Sequence, residues 1–316
     1  IWTASVAENN LSQTNLYGTF SGTSGATPIV AGVAALMFAE NPNITPLEIR
    51  RVLRYTTQDD ILFSGQKELI AGMVDAYAAV TKVSNRVVTL PSGCVAPPSN
   101  LVSWWTGANH ANDIIGSNNG ILKNAAIFAS GYVGEAFHLD GIDDYVEVPD
   151  SSNINFNFAN SSFTLEAWIL PAYPRQTGGV VVKSGTTGNG YRLIYFKRSE
   201  TYDLLEFSVG LFYEVISDDY ESFLDWTHIA VTFNNQAGPF GYPVDFYING
   251  TVTHRALRDH YLIDELFPLT IGAEVTGVFH SFFSGLIDEV SIYNRALSES
   301  EIQSIYQAGQ GGKCRP

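Results

Sequence analysis

The chain has 316 residues, with 17 basic and 32 acidic side chains, a net charge of −15, and 45% apolar, 13% aromatic and 16% charged residues. That length supports one large or two ordinary domains, and so few charges beside so many aromatics exclude a disordered tail. The acidic surplus argues against a nucleic-acid partner, which needs Lys and Arg to meet phosphate. No apolar run reaches the roughly 20 residues of a membrane span; the longest, residues 29–38, is broken by Gly32. The first residue is Ile and no signal-peptide pattern follows, so the expectation is a piece of a longer product.

Charge and pattern both change partway along the chain. Residues 1–85 carry five basic and seven acidic side chains, residues 86–316 twelve and 25. In the first part, apolar residues recur at helical spacing. A Gly/Ser turn enters a helix starting near Ser24 or Gly25, with Pro28 in the first turn, where N–H groups have no intrahelical partner. Val30, Val33, Ala34, Met37 and Phe38 make this helix apolar nearly all round, as a buried helix is. A second helix is expected after Ile44, with Thr45 as N-cap, Pro46 next and Glu48 completing a capping box. A third is expected over residues 74–83.

Ser24 is the residue with chemistry to offer. At a helix N-terminus it feels the positive end of the dipole, and its N–H is free to meet a developing oxyanion; the alternative is a simple cap. Gly22-Thr23-Ser24-Gly25-Ala26-Thr27-Pro28, followed by Val30-Ala31-Gly32-Val33-Ala34-Ala35-Leu36, resembles the nucleophile segment of subtilisin-like serine peptidases. Thr45-Pro46-Leu47-Glu48-Ile49 and Gly72-Met73-Val74-Asp75-Ala76 resemble that family's C-terminal helices, and the likeness covers about the first 83 residues. Gly25 departs from the family, which usually has Met there. Position 26 is Ala, so this is not a Gly-x-Ser-x-Gly elbow, and no Lys follows the glycines as in a phosphate loop.

The resemblance implies acyl transfer from a protein or peptide substrate, with Ser24 as nucleophile, a His as base and an Asp orienting that His. None of the 23 residues before Ser24 is His or Asp. The family's oxyanion Asn also lies upstream, although Asn9, Asn10 and Asn15 are present. The expectation is therefore an active peptidase in the full-length parent and an inactive 316-residue fragment. Its fold is expected to be an incomplete α/β segment, mostly helical, whose apolar faces lack partners.

Residues 84–99, rich in Pro, Gly and Ser, read as a linker between a domain at 1–83 and one at 100–316. Beyond it, strand patterns dominate. Phe163, Leu165, Ala167 and Ile169 alternate onto one face, as do residues in 226–233 and 244–250, and Asn249-Gly250 signals a hairpin. Roughly a dozen strands require two packed sheets, an all-β sandwich. A short helix over residues 298–308 is expected, with Ser298 as cap and Glu301 three residues on.

Ser103-Trp104-Trp105, Gly134-Glu135-Ala136-Phe137-His138-Leu139-Asp140-Gly141, residues 143–149, the Trp226 strand and residues 285–298 together resemble laminin-G-like or concanavalin-A-like jelly rolls. This is specific for fold and weak for function, because one sandwich hosts many roles. A glycan or an extracellular protein is the implied ligand. The resemblance also implies a structural Ca²⁺, with Asp288 as last-strand ligand and Asp140, Gly141 and Asp113 from early loops. The alternative makes Asp140, Asp143 and Asp144 turn formers and gives Asp288 a neighbouring N–H. Cys94 and Cys314 bracket the module, and domain termini often lie close, so a disulfide is expected and with it a secreted, extracellular protein; two free thiols are the alternative. The six His are scattered without zinc spacing and are read as surface or strand-face residues. Tyr191, Tyr195, Tyr213, Tyr220 and Tyr242 are candidates for sugar stacking or for ordinary sheet packing. Two functions are weighed: a secreted serine endopeptidase with a lectin-like module, and a non-catalytic binding or adhesion module with an inactive peptidase remnant.

Overall fold

The computed structural model describes residues 93–316 apart from 158–159, 173–175, 186–189, 200–201, 210–213, 218–219, 222, 224, 237–241, 259–265 and 276–279; before that it describes 2–4, 17–19, 23–42, 44, 49, 53, 76–77 and 80. The chain divides into two compact units, Ile1–Val88 and Thr89–Pro316.

In the first unit, β1 (Trp2–Ala4) pairs antiparallel with β2 (Tyr17–Thr19), and α1 spans Thr23–Glu40. The helix begins one residue before the expected start. Val33 and Met37 are buried with Ile44, and Ile49, Leu53 and Val80 pack against them. Leu36 and Phe38 on the same helix are 57% and 52% exposed. Most of the second and third expected helices lies outside the described residues; Ile49, Leu53, Ala76, Tyr77 and Val80 are helical.

The second unit is a sandwich. Its strands begin with β3 (Leu101–Trp105), β4 (Ile121–Lys123), β5 (Ile127–Ser130), β6 (Glu135–Asp140), β7 (Tyr145–Val148) and β8 (Phe163–Pro171). They continue with β9 (Gly178–Ser184), β10 (Gly190–Lys197), β11 (Tyr202–Val209), β12 (Glu214–Ile216), β13 (Tyr220–Glu221) and β14 (Thr227–Phe233). The last are β15 (Tyr242–Ile248), β16 (Thr251–Arg258), β17 (Leu269–Ile271), β18 (Ala273–Val275), β19 (His280–Phe282) and β20 (Ser284–Tyr293). One eight-stranded sheet runs β12-β11-β10-β9-β17-β7-β4 with β13 on β11. The other runs β16-β15-β14-β8-β20-β6-β5 with β3 on β20. Neighbours distant in sequence, such as β8 beside β20, make this a jelly-roll sandwich.

The core follows the alternation. Phe163, Leu165, Ala167 and Ile169 of β8 are fully buried against Val180 and Val181 of β9 and Leu193 of β10. The β15–β16 hairpin turns at Asn249 and Gly250 with φ of 52° and 76°, the left-handed pair that an Asn-Gly turn supplies. On the outer face of the second sheet, α2 (Glu299–Gln307) buries Ile302 and Ile305 with Tyr247 and Tyr293. Ser298 caps α2 and Glu301 reaches back to it, the full capping box. Cys94 and Cys314 are disulfide-bonded, with Cα atoms 4.7 Å apart.

Candidate functional site

Ser24 is the second residue of α1. Its N–H is therefore one of the four first-turn donors with no intrahelical acceptor, at the positive end of an 18-residue dipole. Asn9, Asn10 and Asn15 lie outside the described residues.

The four residues expected around calcium are not brought together. Asp140 stands opposite Ser284, and Asp288 lies four residues further along β20, about 13 Å at strand spacing. Asp113 spends its carboxylate on backbone: Oδ1 accepts from the N–H of Trp104, Ile115 and Gly116 at 3.0 Å each, and Oδ2 from Asn118 at 3.2 Å. Asp288 Oδ2 accepts from the N–H of Tyr132 and Val133, both at 2.9 Å. Among the described residues the one group of three or more close ligand atoms is Asp140, Asp143 and Asp144, within 4.8 Å. Even there Asp140 accepts from the N–H of Ile142 and Asp143, Asp144 from those of Ala125 and Asp140, and the Gly141 carbonyl from Gln176. The hydrogen bond from Ile142 is the main reason the Asp140 carboxyl sits below its ordinary value. Asp140 and Asp144 thus act as turn carboxylates toward the chain itself.

Among the described candidates, three tyrosines are closed to sugar stacking. Tyr191, Tyr195 and Tyr242 are buried in the core, where Tyr191 packs on Phe156 and Phe163. Tyr220 packs half-buried against the same core, and Tyr213 lies outside the described residues. The physical reason is the pleat: Tyr191 and Tyr195 share the inward face of β10 with Leu193. Partly exposed rings lie elsewhere: Tyr132 stacks on the buried Trp168 at 3.8 Å and approaches the partly exposed Trp226 at 6.1 Å.

A buried charge cluster was not expected from the sequence. Glu166 on β8, fully buried, meets Lys313 Nζ at 2.7 Å through Oε1 and His228 Nε2 at 2.9 Å through Oε2. His228, read as a surface or strand-face residue, is on a strand but entirely buried. Lys313 also lies 3.6 Å from Glu289 and 4.9 Å above the Trp104 ring, and Trp104 Nε1 donates to Glu289 Oε2 at 3.0 Å. A bulge makes this possible. The pairing of β20 with β8 shifts between Asp288 and Ser291, and Glu289 takes a left-handed φ of 56°, so two consecutive carboxylates turn away from the core. Burial alone pushes Glu166 up, yet the charge of Lys313 and the hydrogen bond with His228 hold it down at about 2. Burial, with Glu289 adding like charge, pushes Asp288 up to about 8. Burial likewise raises Glu289, while its carboxylate neighbours outweigh burial and raise Lys313.

Two packed antiparallel sheets with a helix on one outer face define a jelly-roll module, which follows a unit whose α1 carries a serine in its first turn. Residues 140–303 match the sequence model of the concanavalin A-like lectin/glucanases superfamily, and residues 3–86 match that of the subtilase family. The chain belongs to the concanavalin A-like lectin/glucanases superfamily through its second unit, which follows a subtilase segment. Serine protease AprX of Bacillus subtilis (strain 168) is 54% identical over 41 residues, covering 13% of this chain and 9% of that protein. Adhesion G-protein coupled receptor V1 of Danio rerio is 23% identical over 159 residues, 46% of this chain and 2% of the receptor. The matches thus span a small fraction of either relative. Among solved structures, the binding domain of Paraclostridial Mosquitocidal Protein 1 superposes with a TM-score of 0.51 at 21% identity, covering 66% of this chain and 52% of that one. It shares the fold. No described helix is long and apolar enough to cross a membrane.

Proposed function

We propose that this chain is part of a secreted serine endopeptidase in which Ser24 is the nucleophile and the sandwich holds the enzyme on a glycan or an extracellular protein. The observation that carries the peptidase half is the placement of Ser24 in the first turn of α1, inside the segment that matches the subtilase family. From there a serine oxygen attacks a peptide carbonyl, a His accepts its proton, an Asp keeps that His in the right tautomer, and first-turn N–H groups meet the oxyanion. The 316 residues hold neither a His nor an Asp before Ser24, so this stretch alone is proposed to be inactive. The disulfide supports an oxidising compartment, and the lectin/glucanase description of the matching family supports a glycan ligand. Holding the catalyst on its substrate raises the effective concentration of cleavable bonds without any new catalytic contact. Calcium takes no step in this scheme.

The test is casein hydrolysis by the product of the complete gene, by its Ser24→Ala variant and by the 316-residue chain. Activity in the first alone supports the proposal. Activity that survives Ser24→Ala overturns the nucleophile, and Ser24-dependent hydrolysis by the 316-residue chain overturns its proposed inactivity.

A further inference from the structure

The C-terminal tail threads a lysine into the charge cluster and is then tied down. Val95 donates to the Gly312 carbonyl at 2.9 Å, Cys314 donates back to the Val95 carbonyl at 2.8 Å, and Val95 and Lys313 form a parallel bridge. The tail runs close to its surroundings: a Cβ on Gly312 would lie 2.7 Å from Val133 Cγ1, and one on Gly311 would lie 2.8 Å from the Gly93 carbonyl oxygen. One residue past Lys313, Cys314 is bonded to Cys94. Lys313 itself is 3% exposed, against Glu166 at 2.7 Å and Glu289 at 3.6 Å. Trp104 from β3 and the Asp288 carboxylate from β20 also face this ammonium, while His228 from β14 and Tyr293 from β20 meet Glu166, and Arg315 from the tail lies 3.7 Å from Glu289.

Two general facts make the covalent bond decisive here. Terminal residues fray unless something ties them. Withdrawing one member of a buried ion pair leaves its partner unpaired, which is costly unless water enters to replace it. The tail is held by two backbone hydrogen bonds and by the ion pairs of Lys313 and Arg315, and the tether adds a covalent limit to how far it can leave the cluster. Cys94 is exposed and Cys314 half-buried, which leaves the bond open to a small reductant.

We propose that the Cys94–Cys314 bond is a redox latch: closed, it keeps Lys313 between Glu166 and Glu289; reduced, it lets residues 312–316 withdraw and admits water to those carboxylates. The reductant is a dithiol. Its thiolate attacks one sulfur to give a mixed disulfide and expels the other cysteine as a thiolate. The second reductant thiolate then closes on the first, releasing the remaining cysteine. Two electrons and two protons pass to Cys94 and Cys314, which end as thiols, and the reductant ends as a cyclic disulfide. The latch differs from plain loop closure, which acts on the unfolded chain and stabilises the whole module alike. Here the effect is local.

Brief trypsin treatment of the 316-residue chain, oxidised or reduced with dithiothreitol and alkylated, separates the two. Lys313 is the reporter; Lys183, with a fully buried side chain 2.9 Å from Asp150, reports global unfolding. Cleavage is read by peptide mass after full reduction. The expected result is cleavage after Lys313 at least about tenfold faster in the reduced protein, with the Lys183–Ser184 bond still intact, since cleavage tracks the open population. A Cys94→Ser/Cys314→Ser double variant, made without reductant, is expected to behave as the reduced protein. Equal protection of Lys313 in oxidised, reduced and double-variant chains would overturn the latch. So would simultaneous cleavage after Lys313 and Lys183, which would mark collapse of the whole module.

Discussion

Replacing Glu166 by Gln tests the charge cluster at its centre. The substitution keeps the shape and removes the carboxylate that meets Lys313 at 2.7 Å and His228 at 2.9 Å. It leaves Lys313 facing Glu289 across 3.6 Å. The native Glu166 carboxyl is held at about 2 against an ordinary 4.5. A depressed carboxyl contributes stability that is complete above its unfolded value and lost as pH falls through its folded one. For this group the contribution is worth about 3 kcal/mol at pH 7 and about 1 kcal/mol at pH 3. Removing one partner of a buried pair costs about 3–5 kcal/mol, so the two estimates agree. Urea unfolding of both proteins, followed by tryptophan fluorescence at several pH values between 3 and 7, measures the gap. The Gln variant is expected to be about 3 kcal/mol less stable at pH 7, with the difference falling by more than half at pH 3. A constant gap across that range, or one below about 1 kcal/mol at pH 7, would refute the reasoning.

The neighbouring carboxyl titrates in the opposite sense. Asp288 is pushed up to about 8 from 3.8, so it erodes stability as pH rises from its unfolded to its folded value; Asp288→Asn imitates the protonated form. The variant is expected to gain about 3–4 kcal/mol relative to the parent between pH 5 and pH 8, and parallel urea curves at the two pH values would contradict this. Ser298→Ala, which removes one half of the α2 capping box, is expected to lower stability by about 1 kcal/mol with the fold unchanged. Excess EDTA is expected to leave the melting temperature unmoved, because Asp113, Asp140, Asp144 and Asp288 are already bound by backbone N–H groups. A drop of several degrees would establish a structural ion.

What could be read from the sequence depended on how local the signal was. The β8 core face, the Asn249-Gly250 turn and the Ser298 cap are written in stretches shorter than ten residues, where alternation, turn chemistry and capping act directly. The Cys94–Cys314 pairing was legible because the two residues bracket a module whose ends meet. The charge cluster was not, since Glu166, His228, Glu289 and Lys313 reach it from three strands and the tail, each as a single charge in an ordinary pattern. The bulge compounds this: strict alternation after Ile287 puts Glu289 in the core, whereas the extra residue puts Val290 there instead. Between sugar stacking and sheet packing, Tyr191 and Tyr195 fall to packing, a choice left open because alternation says which residues share a face and not which face is inward. The spacing of Asp140 and Asp288 was hidden for a related reason, since residues on neighbouring strands can stand several residues apart along them.

The central claim, that a catalytic serine precedes a binding sandwich, is tested most directly by covalent labelling. The product of the complete gene is treated with a fluorophosphonate, digested and mapped by mass. The account predicts one adduct, on the peptide that carries Ser24, absent after Ser24→Ala. An unlabelled Ser24 peptide in folded protein, or labelling that persists in the variant, would contradict it.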